Sequence, residues 1–263
     1  MNLGIEGKVA LVCGASKGLG RACAENLAAA GCPIVMCARD RDVLATSAVA
    51  LRTTYGVAVA EVPADLAKEG EAERVVEAGR SALGRIDILV VNSGGPKPGT
   101  FFEIERPEWD RAYAAMLGYV VDLYRVAIPP MVGSGWGRII NITSVAVKQP
   151  SPGLVLSTVF RTGVVALAKC LATELIRNNV TINNVCPGAF RTDRAVELMT
   201  ANAQRKGVSV ETIEAESTRS LPSGRYQPPM ELGALVAYLA SEHASSLTGA
   251  TIQLDQGICQ GLL

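Results

Sequence analysis

The chain has 263 residues, 49% of them apolar, and its 25 Lys and Arg balance 25 Asp and Glu. That length and apolar share suit a single α/β domain with one large core. The even charge balance provides no basic field for nucleic acid or a membrane surface, so the expected partner is a small molecule.

Val9 to Val12 is a short valine-containing run that ends at Gly14, as a strand buried on both faces does. From Leu19 onward Ala22, Cys23, Asn26, Leu27 and Ala30 recur at helical spacing. The turn between them carries Gly14, Gly18 and Gly20, with Ser16, Lys17 and Leu19 interspersed. Gly14 permits a positive backbone torsion, Gly18 lets a ligand approach the main chain, and Gly20 lets the helix close on the strand. Free N–H groups at the helix start then attract a phosphate. A glycine-rich turn without a ligand is the plain alternative; the strand–loop–helix setting favours a nucleotide.

Pro33 to Ala38 reads as a second strand, Asp40 to Tyr55 as a helix opened by an Asp cap, and Val57 to Val62 as a third strand. Glu71 to Leu83 is a helix, Ile86 to Val91 an apolar strand, and Pro107 to Met131 a long helix with Pro in its first turn. Ile139 to Thr143, Leu154 to Arg177 and Val180 to Cys186 supply strand, helix and strand; Leu232 to Ala240 and Thr251 to Leu254 close the series. This alternation predicts a doubly wound, Rossmann-type parallel sheet of seven strands with helices on both faces, a single domain over residues 1–263. Residues 191–230 break the rhythm with a polar pair of helical segments and Gln227-Pro228-Pro229. Such a long insertion reads as a lid over the substrate, with structural decoration as the alternative.

Seven scattered cysteines without a CxxC pair look like reduced core residues of a cytoplasmic protein, and they give no metal-ligating spacing. His243 is the only histidine and reads as a surface helix-end residue. No uninterrupted apolar run reaches about 18 residues, so no membrane partner is expected.

In these motifs the chain resembles the short-chain dehydrogenase/reductase family over nearly its full length. The family's Thr-Gly-x-x-x-Gly-x-Gly appears with Cys13 in place of Thr, and Asp65-Leu66 matches its adenine contact. Asn92-Ser93-Gly94 matches Asn-Ala-Gly, Ile142-Thr143-Ser144 the strand with the catalytic serine, and Cys186-Pro187-Gly188 through Thr192 the loop that holds the nicotinamide amide. Leu254-Asp255-Gln256-Gly257 resembles the terminal Asp-Gly-Gly. The resemblance implies a nicotinamide dinucleotide. The second strand ends Cys37-Ala38-Arg39-Asp40, where Arg39 and Lys17 offer positive charge to a 2′-phosphate, favouring NADP over NAD. Asp40 sits one residue late and reads as the cap of the next helix.

The same resemblance exposes a break. The family's tyrosine position falls on Ser157 and its lysine on Arg161, a register that Leu167-Ala168-Lys169 repeats. Trp109-Asp110 sets Met116 where the asparagine belongs, which leaves Ser144 alone of the four. A serine is shorter than a phenol and far less acidic than tyrosine at about pKa 10, and an arginine above about pKa 12 is a poor proton relay. In one reading hydride transfer continues, with Lys148 or a water between Ser144 and Ser157 as the acid and Arg161 positioning the nicotinamide ribose; Lys148 facing solvent is the alternative. In the other, the nucleotide site serves binding, regulation or assembly with little turnover. The pattern is similar to a divergent branch related to β-ketoacyl carrier protein reductases. Helices 107–131 and 154–177 are apolar beyond one stripe, and in relatives these helices pack against their copies, implying a homodimer or homotetramer.

Overall fold

The structure is a computed structural model, and it describes residues 2–261. Among these residues seven parallel strands form one sheet in the order β3-β2-β1-β4-β5-β6-β7. They are β1 (Ala10–Cys13), β2 (Ile34–Ala38), β3 (Val59–Pro63), β4 (Ile88–Val91), β5 (Gly137–Ile142), β6 (Val180–Pro187) and β7 (Thr251–Leu254). The central strands are buried along their whole length, which is why they read as runs of Val, Ile and Leu rather than as alternating patterns. Val12 pairs with Met36 on one side and Val90 on the other. Strand order reverses between β1 and β4, so a crevice opens beyond their carboxyl ends, where ligands of such sheets bind.

Helices α1 (Gly18–Ala29), α2 (Arg41–Tyr55) and α9 (Pro229–Ala240) cover one face, burying Leu27, Leu44, Leu232 and Val236 against Val12, Ile34 and Ile140. Helix α3 (Glu71–Leu83), α5 (Tyr119–Ser134) and α6 (Val155–Leu175) cover the other, burying Val75, Leu123, Met131, Val164 and Ala168 against Leu11, Val35, Ile139 and Ile182. Helices α1 and α9 touch closely because Gly233 has no side chain; a Cβ there would stand 2.4 Å from the Ala22 carbonyl oxygen. The stretches Arg106–Ser134 and Val155–Asn178 are long and apolar enough to cross a membrane, a length the uninterrupted-run criterion missed. Each nonetheless lies along the sheet and sends most of its buried apolar residues into the same core.

Boundaries differ from the sequence reading by up to three residues, with identifiable causes. β4 begins at Ile88 rather than Ile86, because the Asp87 carboxylate turns aside to accept the Val9 N–H at 2.8 Å and to pair with Arg85 at 2.7 Å. The expected helix 107–131 is three segments: α4 (Arg106–Tyr113), a π turn at Ala114–Gly118, and α5, which continues to Ser134. A π turn inserts an extra residue and re-aims its side chains, a change that apolar periodicity does not reveal. The insertion folds as the expected helical pair, α7 (Asp193–Lys206) and α8 (Val210–Thr218), around a small core of Met199, Ala203 and Ile213. A bridge between Phe190 and Gln227 joins its two ends.

Candidate active site

At the reversal point β1 ends at Cys13 and the chain turns into α1 with Gly14 at φ 61° and Gly18 at φ 59°. Gly20 lies so close to the turn that a Cβ there would stand 2.1 Å from the Gly14 carbonyl oxygen. The Asn92 side chain closes the underside, its Nδ2 donating to the Cys13 carbonyl at 3.3 Å. Ser16 is buried, and its carbonyl accepts the Ser47 hydroxyl at 2.7 Å. Lys17 occupies the N-cap position of α1 without a side-chain cap, and the first turn carries no acidic residue. That is a helix start arranged to receive an anion from outside. Leu19 packs against the α1 side of the core. Two acids from the insertion meet this loop: the Gly18 N–H donates to Asp193 Oδ2 at 2.9 Å, and Lys17 Nζ pairs with Glu197 at 3.1 Å.

Along the crevice Arg39 is exposed at the end of β2, and Asp40 caps α2 by accepting the N–H groups of Asp42 and Val43, both at 3.1 Å. Asp65, beyond β3, accepts the Ala67 N–H at 3.3 Å, with Leu66 packed beside the α3 side of the core. Asn92 and Ser93 are half-buried after β4, and Gly94 is exposed. On the far rim, Gly188 crosses Asp255 so tightly that a Cβ would lie 2.7 Å from the Asp255 Cα, and the Gly188 N–H donates to the Leu254 carbonyl at 3.0 Å. The half-buried Pro187 precedes it. Thr192 caps α7, its hydroxyl accepting the Ala195 N–H at 3.2 Å. Burial pushes the Asp255 carboxyl up, but the N–H groups of Cys259, at 2.8 Å, and Gly257, at 3.0 Å, outweigh it and hold the acid below its ordinary range.

Ser144 follows β5 as the cap of a single 3-10 turn, Val145–Val147, its Oγ accepting the Ala146 N–H at 3.1 Å. Lys148 ends that turn half-buried and near enough to Cys186 for its charge to oppose the thiol's burial-driven rise in pKa. Ser157 is buried on the first turn of α6, which packs on the same 3-10 turn. One helical turn on, Arg161 points inward, its Nη1 donating to the Ile142 carbonyl at 2.7 Å and its Nη2 to the Ser93 carbonyl at 3.4 Å. Burial holds its guanidinium below the ordinary arginine value, partly offset by Tyr119 and Cys186. Beneath it is a small cavity of about 10 Å³, at the lower limit for one water, lined in part by Ser93, Met116, Tyr119, Asn141, Thr143 and Arg161.

Several of these neighbours were outside the sequence reading. Burial drives the Tyr119 phenol well above its ordinary pKa, with neighbouring Ser93 opposing the rise. A buried polar chain continues from Tyr124, which donates to Asn141 at 2.7 Å, through Asn141 to Asn184 at 2.9 Å. Cys186 lies 3.2 Å from the Thr143 hydroxyl. Tyr119 stands three residues past Met116, so the one usable signal was its spacing from the displaced asparagine position. His243, as expected, is a surface residue, meeting the Asn2 carbonyl at 2.8 Å. The mouth of the site is framed by a bridge from Gly99 to Leu154, which ties the loop after β4 to the start of α6. Just beyond it an aromatic train runs from Phe101 through Trp109, 6.1 Å away, to Phe160 at 5.9 Å.

Residues 14–259 match the family described as Enoyl-(Acyl carrier protein) reductase. A D-beta-hydroxybutyrate dehydrogenase of Cupriavidus necator is 33% identical over 254 residues, covering 96% of this chain and 98% of its own. The chain belongs to the short-chain dehydrogenase/reductase family. Another short-chain dehydrogenase/reductase relative, the 3-oxoacyl-(acyl-carrier-protein) reductase FabG of Aquifex aeolicus, is 31% identical over 98% of this chain and 100% of its own. Among solved structures, L-sorbose reductase from Gluconobacter frateurii complexed with NADPH and L-sorbose is similar with a TM-score of 0.96 and 32% identity over 100% of both chains. These relatives are named as dehydrogenases or reductases, and the solved L-sorbose reductase shares the architecture described above.

Proposed function

We propose that this chain is an NADP-dependent short-chain oxidoreductase that reduces a small carbonyl compound or oxidises an alcohol, with a lid formed by residues 191–230. The observation that carries the reading is the glycine cradle. Two glycines in left-handed backbone and a third without space for a methyl group set the first amides of α1 at the strand crossover. The relative complexed with NADPH supports the choice of dinucleotide.

In this reading Gly14, Ser16, Lys17, Gly18, Leu19 and Gly20 receive the pyrophosphate, and Arg39 with Lys17 receives the 2′-phosphate. Asp65 and Leu66 face the adenine, Asn92, Ser93 and Gly94 the ribose side, and Pro187, Gly188 and Thr192 the nicotinamide amide. The bound dinucleotide supplies or accepts the hydride. Ser144 polarises the substrate oxygen from its fixed position on the 3-10 turn, while Arg161 keeps positive charge under the ribose and pins the ends of β4 and β5. Lys148, or a water held between Ser144 and Ser157, donates the proton. The apolar breadth of the helices over 106–134 and 155–175 supports a homodimer or homotetramer.

A second reading has its own observation. Arg161 is turned into the Ile142 and Ser93 carbonyls, and Met116 offers no polar anchor, an arrangement that favours dinucleotide binding with little turnover. Titration of NADPH fluorescence with the full-length protein tests the shared part, since an unchanged signal sinks both readings. A screen of ketones, aldehydes and alcohols separates them. If turnover is found, Ser144→Ala is expected to lower kcat by about 100-fold or more. Ser157→Tyr with Arg161→Lys is expected to raise turnover if only the proton relay has been lost.

A further inference from the structure

The two insertion acids at the glycine loop carry an inference that rests on the dinucleotide reading and deepens it. A phosphate on the α1 amides needs the Gly18 N–H, and the Asp193 carboxylate holds that N–H at 2.9 Å. A 2′-phosphate near Arg39 needs Lys17, and Glu197 holds Lys17 at 3.1 Å. Asp193 and Glu197 stand one helical turn apart on α7, so a single rigid element presents both anions to the loop together. Thr192 follows them in, its Cβ and Cγ2 both 3.6 Å from where a Gly18 Cβ would lie.

We propose that the start of α7 is an internal phosphate mimic, an acidic latch that occupies the dinucleotide's two anion positions and must be displaced for NADP to bind. Each carboxylate takes the place of one phosphate group: Asp193 that of the pyrophosphate on the Gly18 amide, and Glu197 that of the 2′-phosphate on Lys17. Binding therefore couples to lid movement through charge exchange on the same two donors, and apparent affinity is reduced by the fraction of molecules with the latch closed. The two contacts differ in weight. Lys17 and Glu197 keep 54% and 62% of their side-chain surface exposed and Asp193 is exposed too, so solvent screens both contacts. The amide-to-carboxylate bond of Asp193 is the stronger part.

The test compares wild type, Asp193→Asn and Glu197→Gln as full-length proteins, titrated with NADPH and NADH. Asp193→Asn is expected to tighten both dinucleotides by about tenfold, because both carry the pyrophosphate. Glu197→Gln is expected to tighten NADPH by about threefold and leave NADH unchanged, because only NADPH carries the 2′-phosphate. In the ligand-free proteins, hydrogen exchange over residues 14–20 is expected to quicken in Asp193→Asn, which reads the latch without any nucleotide. Equal affinities in wild type and both variants overturn the latch while the nucleotide reading stands. Binding by none of the three overturns the nucleotide reading and the competition with it. Unchanged exchange in Asp193→Asn likewise overturns the latch.

Discussion

A single hydrogen atom decides the turn at Gly20. Its missing Cβ would collide at 2.1 Å with the Gly14 carbonyl oxygen, a backbone atom that cannot swing aside. Gly20→Ala is expected to cost about 1–3 kcal/mol, seen as a fall of several degrees in Tm, and to weaken NADPH binding, because the α1 amides must shift to relieve the contact. Tyr124 offers a second test of one atom. Its hydroxyl is the donor to Asn141 Oδ1 inside the sheet, so Tyr124→Phe leaves a buried acceptor unpaired at about 1–3 kcal/mol by urea unfolding. Only the glycine was legible beforehand. A residue without a side chain announces close approach, whereas the partner of Tyr124 depends on how α5 seats against β5, which no local pattern encodes.

The insertion helices behave as a small unit of their own. Ile213, buried with Met199 and Ala203, fastens α8 to α7, and that core is separate from the two large ones on the sheet. Ile213→Ala is expected to remove about 2–5 kcal/mol from this unit alone. The expected signature is faster proteolysis and hydrogen exchange within 193–218, with Tm nearly unchanged; a matching fall in Tm would show that the unit is welded to the rest. Helix periodicity and the proline run revealed these elements in advance, and the Asp40 cap, with its short local reach, marked the start of α2 in the same way. The contact between Gly18 and Asp193 was not legible, because it joins residues 175 positions apart. The π turn was equally hidden. Its apolar residues satisfy the ordinary helical spacing, and only backbone geometry separates the two.

At the scale of the whole molecule, Asp255 ties the last strand to the Pro187–Gly188 rim. Its pKa is depressed in the folded protein, so its stabilising share is complete above the unfolded value of 3.8 and disappears as pH falls through the lower folded value. Stability is therefore expected to drop on acidification below about pH 4, and Asp255→Asn should flatten that part of the stability–pH curve while lowering Tm at pH 7. The parallel, doubly covered sheet was legible from the alternation of strands and helices, since parallel strands need helical connections, whereas the strand order and its reversal between β1 and β4 came only with the structure. The far edge of the molecule also defines an optical property. Of the two tryptophans, Trp136 is wedged between Lys8 and Arg138 with its indole N–H on Glu242, at the opposite end of β5 from Ser144. Trp109, in contrast, leans on Phe160, the immediate neighbour of Arg161, and on Phe101 just past the Gly99–Leu154 bridge. The protein thus carries a built-in emission probe at its mouth and a quiet reference at its base, so that comparing wild type with Trp109→Phe isolates the light that follows events at the reacting end.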